Sequence, residues 1–358
     1  MSVATETSNY STDTKPLQYL VVVRPLGLLY GSAGRFLSPE NLVGRSGVSF
    51  PPSAATLSGV FAHQLNEETD KLNKLQLAGP FWANEAQLDN FYVPTPLNCL
   101  VKDGKIQYTL SWREEKWLTQ IDGKWQTPPN DKYQKATWMA IADWQNFNHK
   151  PEVKTSPWRF MPHLHPRLQE NQRTVAIESE QGSLFLENAV QLEPDICLVY
   201  LANTEIPGGW YRFGGEGHMV ELECLPMGET AKNLLQQPIS NSFAIITPAV
   251  WGSNRLSYRA PGSNENAEDL TWDRWQIEAL LTGRPVQMRY RLGNREGHQP
   301  HQPKLLSRGR YAVPAGSVYV LDEPLNRTWH EWDENWFPRE GYSYKRWGCG
   351  LALPLDCA

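Results

Sequence analysis

Two glycine-bearing segments near opposite ends of the chain hold the residues best suited to bind a charged ligand. Near the start, Gly27-Leu-Leu-Tyr-Gly31-Ser-Ala-Gly34-Arg35-Phe36 leads to Phe50-Pro51-Pro52-Ser53-Ala-Ala-Thr56-Leu57-Ser58-Gly59. Near the end, Gly341-Tyr-Ser-Tyr-Lys345-Arg346-Trp347-Gly348-Cys-Gly350 runs into Leu351-Ala-Leu-Pro354. Glycine tolerates positive φ and lets a backbone approach a bulky group, and amide N–H groups in such turns form anion-binding concavities. Gly341, Gly348 and Gly350 are therefore expected to admit a strand whose phosphates pair with Lys345 and Arg346, while Trp347 stacks on a base. Arg35 and Arg45 are expected to contact the same strand, with Ser53 and the start of its helix offering amide donors. The anion these residues suit is the backbone of a nucleic acid.

Other chemistries find little to use. The chain has no G-x-x-x-x-G-K-[ST] phosphate loop, no G-x-S-x-G elbow and no H-E-x-x-H. His163-Leu-His165 and His298-Gln-Pro-His301 are the only close histidine pairs, and neither has a third ligand at a recognised spacing, so no metal or other cofactor is expected. His63 stands three residues past Val60 on the first helix. It is the one candidate general base for attack by a ribose 2′-OH, with a lysine steadying the developing charge.

The 358 residues exceed what one core usually serves and predict two domains. The net charge of −5 at first argues against a polyanionic partner, but the charges are segregated. Residues 284–310 carry seven cations (Arg284, Arg289, Arg291, Arg295, Lys304, Arg308, Arg310) against Glu296 alone, whereas residues 178–229 carry ten acids against Arg212. Such a basic strip can direct an anion to one surface whatever the net charge. Arg308 and Arg310 are weaker candidates, because the acids around Glu331 and Glu334 offer them another use. The five cysteines are scattered without a C-x-x-C, which fits a reducing compartment. The opening residues lack a signal pattern, and the apolar run 17–30 is broken by Arg24 and Pro25, so a cytoplasmic protein with no membrane segment is expected. Most of the fifteen tryptophans should be packed in the core, although a minority read as carbohydrate-binding platforms would give a third function class.

Positioning these residues needs a mixed fold. Residues 17–25 read as a strand, and Ser53 starts a helix with Leu57, Val60, Phe61 and Leu65 at helical spacing. Residues 79–172 read as a large insertion with short strands. A β-hairpin is expected from residues 174–179 and 183–188. Further strands are expected at 196–201, 218–224, 243–247, 286–292, 317–321 and 350–355, and a helix over 272–281. The fold class is α+β, in two domains.

The run Arg24-Pro25-Leu26, Gly34-Arg35 and residues 50–59 resembles the opening of a RAMP protein of CRISPR systems. More narrowly, it resembles the type III-B Cmr subunit that holds the 5′ end of the CRISPR RNA. Arg173-Thr-Val-Ala-Ile-Glu178 followed by Gly182-Ser-Leu-Phe, and Lys304 followed by Ala312-Val-Pro-Ala-Gly-Ser-Val-Tyr319, continue the likeness. The C-terminal glycine loop agrees too, loosened by Tyr342, Ser343 and Tyr344. The matches run in order from 20 to 353, with 80–160 unmatched; the 312–319 stretch favours type III-B over III-A. The resemblance implies two tandem ferredoxin-like domains, here 16–200 with the insertion and 201–358 with the glycine loop, and a β-hairpin thumb within 173–188 at the junction. It implies a non-catalytic subunit that binds the CRISPR RNA 5′ handle beside a large polymerase/cyclase-like subunit and backbone RAMP subunits, and adds Arg24, Gly34, Arg173 and Lys304 to the RNA-contacting set. A metal-independent RNA-processing endoribonuclease using His63 is the rival within the same superfamily.

Overall fold

The fold is taken from a computed structural model, which describes residues 14–30, 50–65, 67–166, 174–175, 184–214, 217–252, 257–261, 275–290 and 306–357. It is a mixed α/β structure built mostly of strands with few helices. In chain order the first sheet draws on β1 (Tyr19–Pro25), β2 (Leu77–Asn84), β3 (Tyr92–Pro94), β4 (Trp138–Ala140), β5 (Val153–Lys154), β6 (Ile196–Ala202), β7 (Gly209–Phe213) and β8 (His218–Pro226). The second draws on β9 (Ser242–Ile245), β10 (Ile277–Leu281), β11 (Val318–Leu321) and β12 (Ala352–Pro354).

The eight strands of the first sheet lie in the order β5-β4-β3-β2-β6-β1-β8-β7. β1 is central because its β-branched run is apolar on both faces: Leu20, Val21, Val22 and Val23 are all fully buried. Its neighbours β6 and β8 are both antiparallel to it. Helix α1 (Ala54–Gln64) covers one face, presenting Ala54, Leu57, Val60 and Phe61 to the core. α2 (Thr69–Asn73) then returns the chain to β2. Within residues 79–172, β3, β4 and β5 extend this sheet, while Cys99–Lys102 pairs with Lys105–Thr109 and Ser111–Arg113, Lys116–Ile121 and Lys124–Gln126 form a small three-stranded sheet of their own. The last two strands of the sheet, β7 and β8, come from beyond residue 200.

After β8, α3 (Glu229–Gln236) buries Ala231 and Leu234 and leads to the second sheet, ordered β10-β11-β9-β12. Counted along the chain, its strands stand in the order 2-3-1-4. Four adjacent strands of the first sheet, β2-β6-β1-β8, repeat that order, and every pairing in both sets is antiparallel. The second sheet is backed by aromatic rings. Phe243 stacks on Tyr319 at 4.9 Å, and Trp251 meets Trp275 edge-on at 5.0 Å. Trp82, Trp144, Trp251, Trp275, Trp329, Trp332, Trp336 and Trp347 are all buried. These tryptophans serve packing and are not available as carbohydrate platforms.

Two expected elements differ. The helix expected over 272–281 is strand β10 where it is described, because its backbone pairs with β11 through Ile277↔Leu321 and Leu281↔Val318. Apolar residues at 275, 280 and 281 are too few to fix a period over so short a segment. The hairpin also has a different first arm: Leu184–Leu192 pairs with Trp158–Pro166, from Trp158↔Leu192 to Pro166↔Leu184. A nine-residue register with that partner outweighs the local turn signal of 180–182, which lies outside the described residues together with 176–179.

Candidate nucleic-acid interface

The C-terminal glycine segment is a small hairpin followed by a tight turn. Arg339–Glu340 pairs with Tyr342–Ser343 across Gly341, whose φ of 82° suits glycine and whose missing Cβ faces open space. Ser343 caps the next turn, its hydroxyl accepting from the Lys345 amide at 3.3 Å. The turn Tyr344–Trp347 stops at Gly348, which is left-handed at φ 68°. Gly348 is a packing glycine, since a Cβ there would lie 2.4 Å from the Ala78 Cβ of β2. A Cβ on Gly350 would sit 2.8 Å from the Trp251 ring. Of the three glycines, Gly341 alone opens outward.

The three residues expected to touch RNA point inward. Lys345 is 4% exposed, and its ammonium donates to the backbone carbonyls of His330 at 2.8 Å and Trp332 at 2.5 Å. Burial pushes its pKa below the ordinary lysine value, opposed by the nearby carboxylates of Glu334 and Asp333. Arg346 donates to the carbonyls of Leu72 and Asn73 at the end of α2. Trp347 packs against Tyr290 at 4.9 Å and Tyr344 at 5.7 Å. The physical reason is the tightness of the turn: its closing glycine is seated on β2, so the preceding side chains are enclosed. Arg346 fastens the segment to the N-terminal half, and Lys345 fastens it to the neighbouring turns at 330 and 332. Lys345→Met is expected to destabilise the fold by about 1–3 kcal/mol, because two buried carbonyls lose their donor. Its RNA affinity should keep the salt slope of the parent chain, and thermal melts with binding isotherms on one preparation measure both. A slope lowered by about 0.7 would return Lys345 to the interface.

What the hairpin presents to solvent is different. Arg308, Arg339, Tyr342 and Tyr311 are exposed, with Tyr311 57% and Tyr342 43% accessible. The Arg346 guanidinium lies 3.8 Å from the centre of the Tyr342 ring and holds it from one side. Arg310 is almost fully buried and ion-paired with Glu340, not with Glu331 or Glu334. The other Glu340 oxygen accepts the Arg308 amide at 2.8 Å. Glu340 therefore ties the foot of the basic strip to the hairpin. Arg289 donates to the Ser307 carbonyl at 2.9 Å and the Ser307 hydroxyl accepts the Tyr290 amide at 2.8 Å, so residues 289–290 and 307 are held together beside it. The result is a braced ledge with exposed Arg308, Arg339 and Tyr342, while alternation turns Tyr311 to the side away from Arg310 and Glu340; exposed charge with an exposed ring is the combination that holds single-stranded nucleic acid. Sequence reasoning missed Tyr342, which read only as a departure from a glycine spacing, and Arg339, Tyr311 and Glu340. The alternation of cation and aromatic at 339 and 342 was the available signal.

The remaining expected residues are elsewhere. Arg24, at the end of β1, is half-buried and pairs with Glu223 at 2.8 Å and Glu85 at 3.5 Å. This pairing across the sheet accounts for its charge. Ser53 precedes α1 without a side-chain cap, its carbonyl accepting the Thr56 amide at 2.8 Å. His63 is exposed in the last turn of α1. Gly34, Arg35, Arg45, Arg173 and Lys304 lie outside the described residues, as do His298 and His301. The C-terminal turn packs against α1 and β2. Among the described residues no group of three histidine, cysteine or acidic side chains is placed to hold a metal, and no helix is long and apolar enough to cross a membrane.

No curated protein matches the chain. Among solved structures it is similar to a chain of the type III-B Cmr-beta complex bound to cognate target RNA, at 11% identity and a TM-score of 0.44, covering 84% of this chain and 86% of that one. It is also similar to a chain of the Csm3-Csm4 subcomplex of the type III-A interference complex, at 12% identity and a TM-score of 0.38, covering 94% and 99%. A chain of the Csm1-Csm4 cassette in complex with pppApA is a third, at 12% and 0.34, covering 86% and 88%. Likenesses this distant carry no information on contacts. Residues 37–356 match the family described as CRISPR-associated protein (Cas_Cmr3), which bears out the resemblance to the type III-B Cmr subunit. The chain belongs to the Cas_Cmr3 family of CRISPR-associated proteins.

Proposed function

We propose that this chain is a non-catalytic subunit of a type III CRISPR ribonucleoprotein effector that holds the 5′ handle of the CRISPR RNA. In that assembly it docks a large polymerase/cyclase-like subunit and the backbone RAMP subunits. The observation that carries the reading is the braced ledge of Arg308, Arg339 and Tyr342, which supplies exposed charge and an exposed ring together. Family membership supports the setting. The shared strand order of the two sheets, with antiparallel pairing throughout, supports a tandem ferredoxin-like arrangement. In that reading the first unit takes in β7 and β8, which share its sheet. The hairpin of Trp158–Pro166 and Leu184–Leu192 is the thumb, with Phe160 and Leu164 exposed on its first arm.

The chain purified from its own cells is expected to carry a short RNA with a constant 5′ end. RNA of random 5′ sequence, or none, would count against the handle. Incubation with repeat RNA is expected to leave the RNA whole; cleavage that disappears in His63→Ala would favour the endoribonuclease instead.

A further inference from the structure

We propose that the outer edge of β7 is a docking site for a β-strand of a neighbouring protein subunit, one with basic residues among apolar ones. This rests on the reading of the chain as a member of a multi-protein assembly.

β7 is the terminal strand of the eight-stranded sheet, and among the described residues nothing pairs with its outer edge. Open edges invite pairing with foreign strands, and proteins guard them with lysine, proline or bulges. This edge reads Gly-Trp-Tyr-Arg-Phe and runs in unbroken register with β8, from Gly209↔Leu222 to Phe213↔His218. It has none of those guards. Added strands bind through such main-chain groups and are selected by alternate side chains.

Side chains beside the edge suit a protein. Phe213 is buried and meets Tyr200, whose hydroxyl donates to the Pro52 carbonyl just before α1; alternation then turns Trp210 and Arg212 to the opposite face. Trp210 is 71% exposed, the most exposed large apolar residue described. Met219, 42% exposed, stands opposite Arg212, and its carbonyl accepts the amide of Leu26, itself 51% exposed. The exposed apolar surface therefore continues from β7 across β8 to the end of β1. Exposed apolar residues that run together mark interaction sites.

Charge decides between partners. Glu221 stands opposite both Trp210 and Arg24 and makes no ion pair among the described residues, since Arg24 is engaged by Glu223 and Glu85. On β7, β8 and the residues just ahead of them stand Glu205, Glu221 and Glu223 against Arg212 alone. That field repels a nucleic acid and favours a strand bearing lysine or arginine opposite Glu221.

Hydrogen exchange tests the edge directly. The free chain is compared with the effector purified after co-expression with the large and backbone subunits and a CRISPR RNA. Exchange at residues 209–213 is expected to slow by about tenfold or more in the complex. Trp210→Ala, at an exposed position, should keep the thermal transition of the free chain and lose most of that slowing. A chain that enters the ribonucleoprotein while residues 209–213 exchange as in the free protein overturns the edge and leaves the functional reading standing. A chain that enters no ribonucleoprotein overturns both.

Discussion

Replacing Arg308 and Arg339 together by alanine is expected to lower the salt slope of RNA binding by about 1.4, at roughly 0.7 for each single-strand phosphate released. Both side chains are exposed, so the fold should change by no more than about 0.5 kcal/mol. Tyr342→Ala acts through a different term. Loss of one base–aromatic stack removes about 1–3 kcal/mol, or roughly 5- to 150-fold in affinity, with little change in slope. Arg346 beneath the ring remains in place through the carbonyls of Leu72 and Asn73, so the site is depleted without being dismantled. Titrations of a handle-sequence RNA at several salt concentrations separate the two terms. If the triple variant binds with the parent slope and affinity, the ledge is not the interface.

Gly348→Ala should be the most damaging single-methyl change in the C-terminal segment. The residue is left-handed at φ 68°, and the added Cβ would stand 2.4 Å from the Ala78 Cβ and 2.5 Å from the Ala78 Cα. One of these neighbours is backbone in a central strand, so it cannot rotate away. Conformational strain and overpacking together predict a loss of about 3–5 kcal/mol. The melting temperature should fall by roughly 4–7 °C. Gly341→Ala is the matched control: its φ is also positive, at 82°, but the space around it is open, so the strain of the turn is felt without the clash. Equal losses at both positions would show that the turn's contact with β2 contributes nothing.

The strands carried clear signals. Leu20 to Val23 are β-branched or leucine without interruption, and a strand buried on both faces needs nothing else. Ser53 after two prolines announced α1 for the same local reason. Residues 277–281 were misread because a short apolar segment has no period of its own, and the partner strand that decides its shape lies about forty residues further on. The candidate site was legible as a special turn but not in which side chains it exposes. The glycines and cations of 341–350 correctly marked a special turn, yet which cations face outward depends on where the turn is seated. Lys345 is spent on the carbonyls of His330 and Trp332 and Arg346 on those of Leu72 and Asn73, and the second pair lies more than 270 positions away in sequence. Tyr342 went unnoticed because its exposure follows from the same seating.

The strand order of the second sheet bears on how the protein is made. β12 lies beside β9, so the first of these strands to be synthesised waits for the last. During translation Ser242–Ile245 remains bare on one side until residues 352–354 have left the ribosome. The closing step joins positions about a hundred residues apart, a slow kind of contact. Nascent or shortened chains that stop before residue 352 therefore present an apolar strand to solvent, and should depend on chaperones where the finished chain does not.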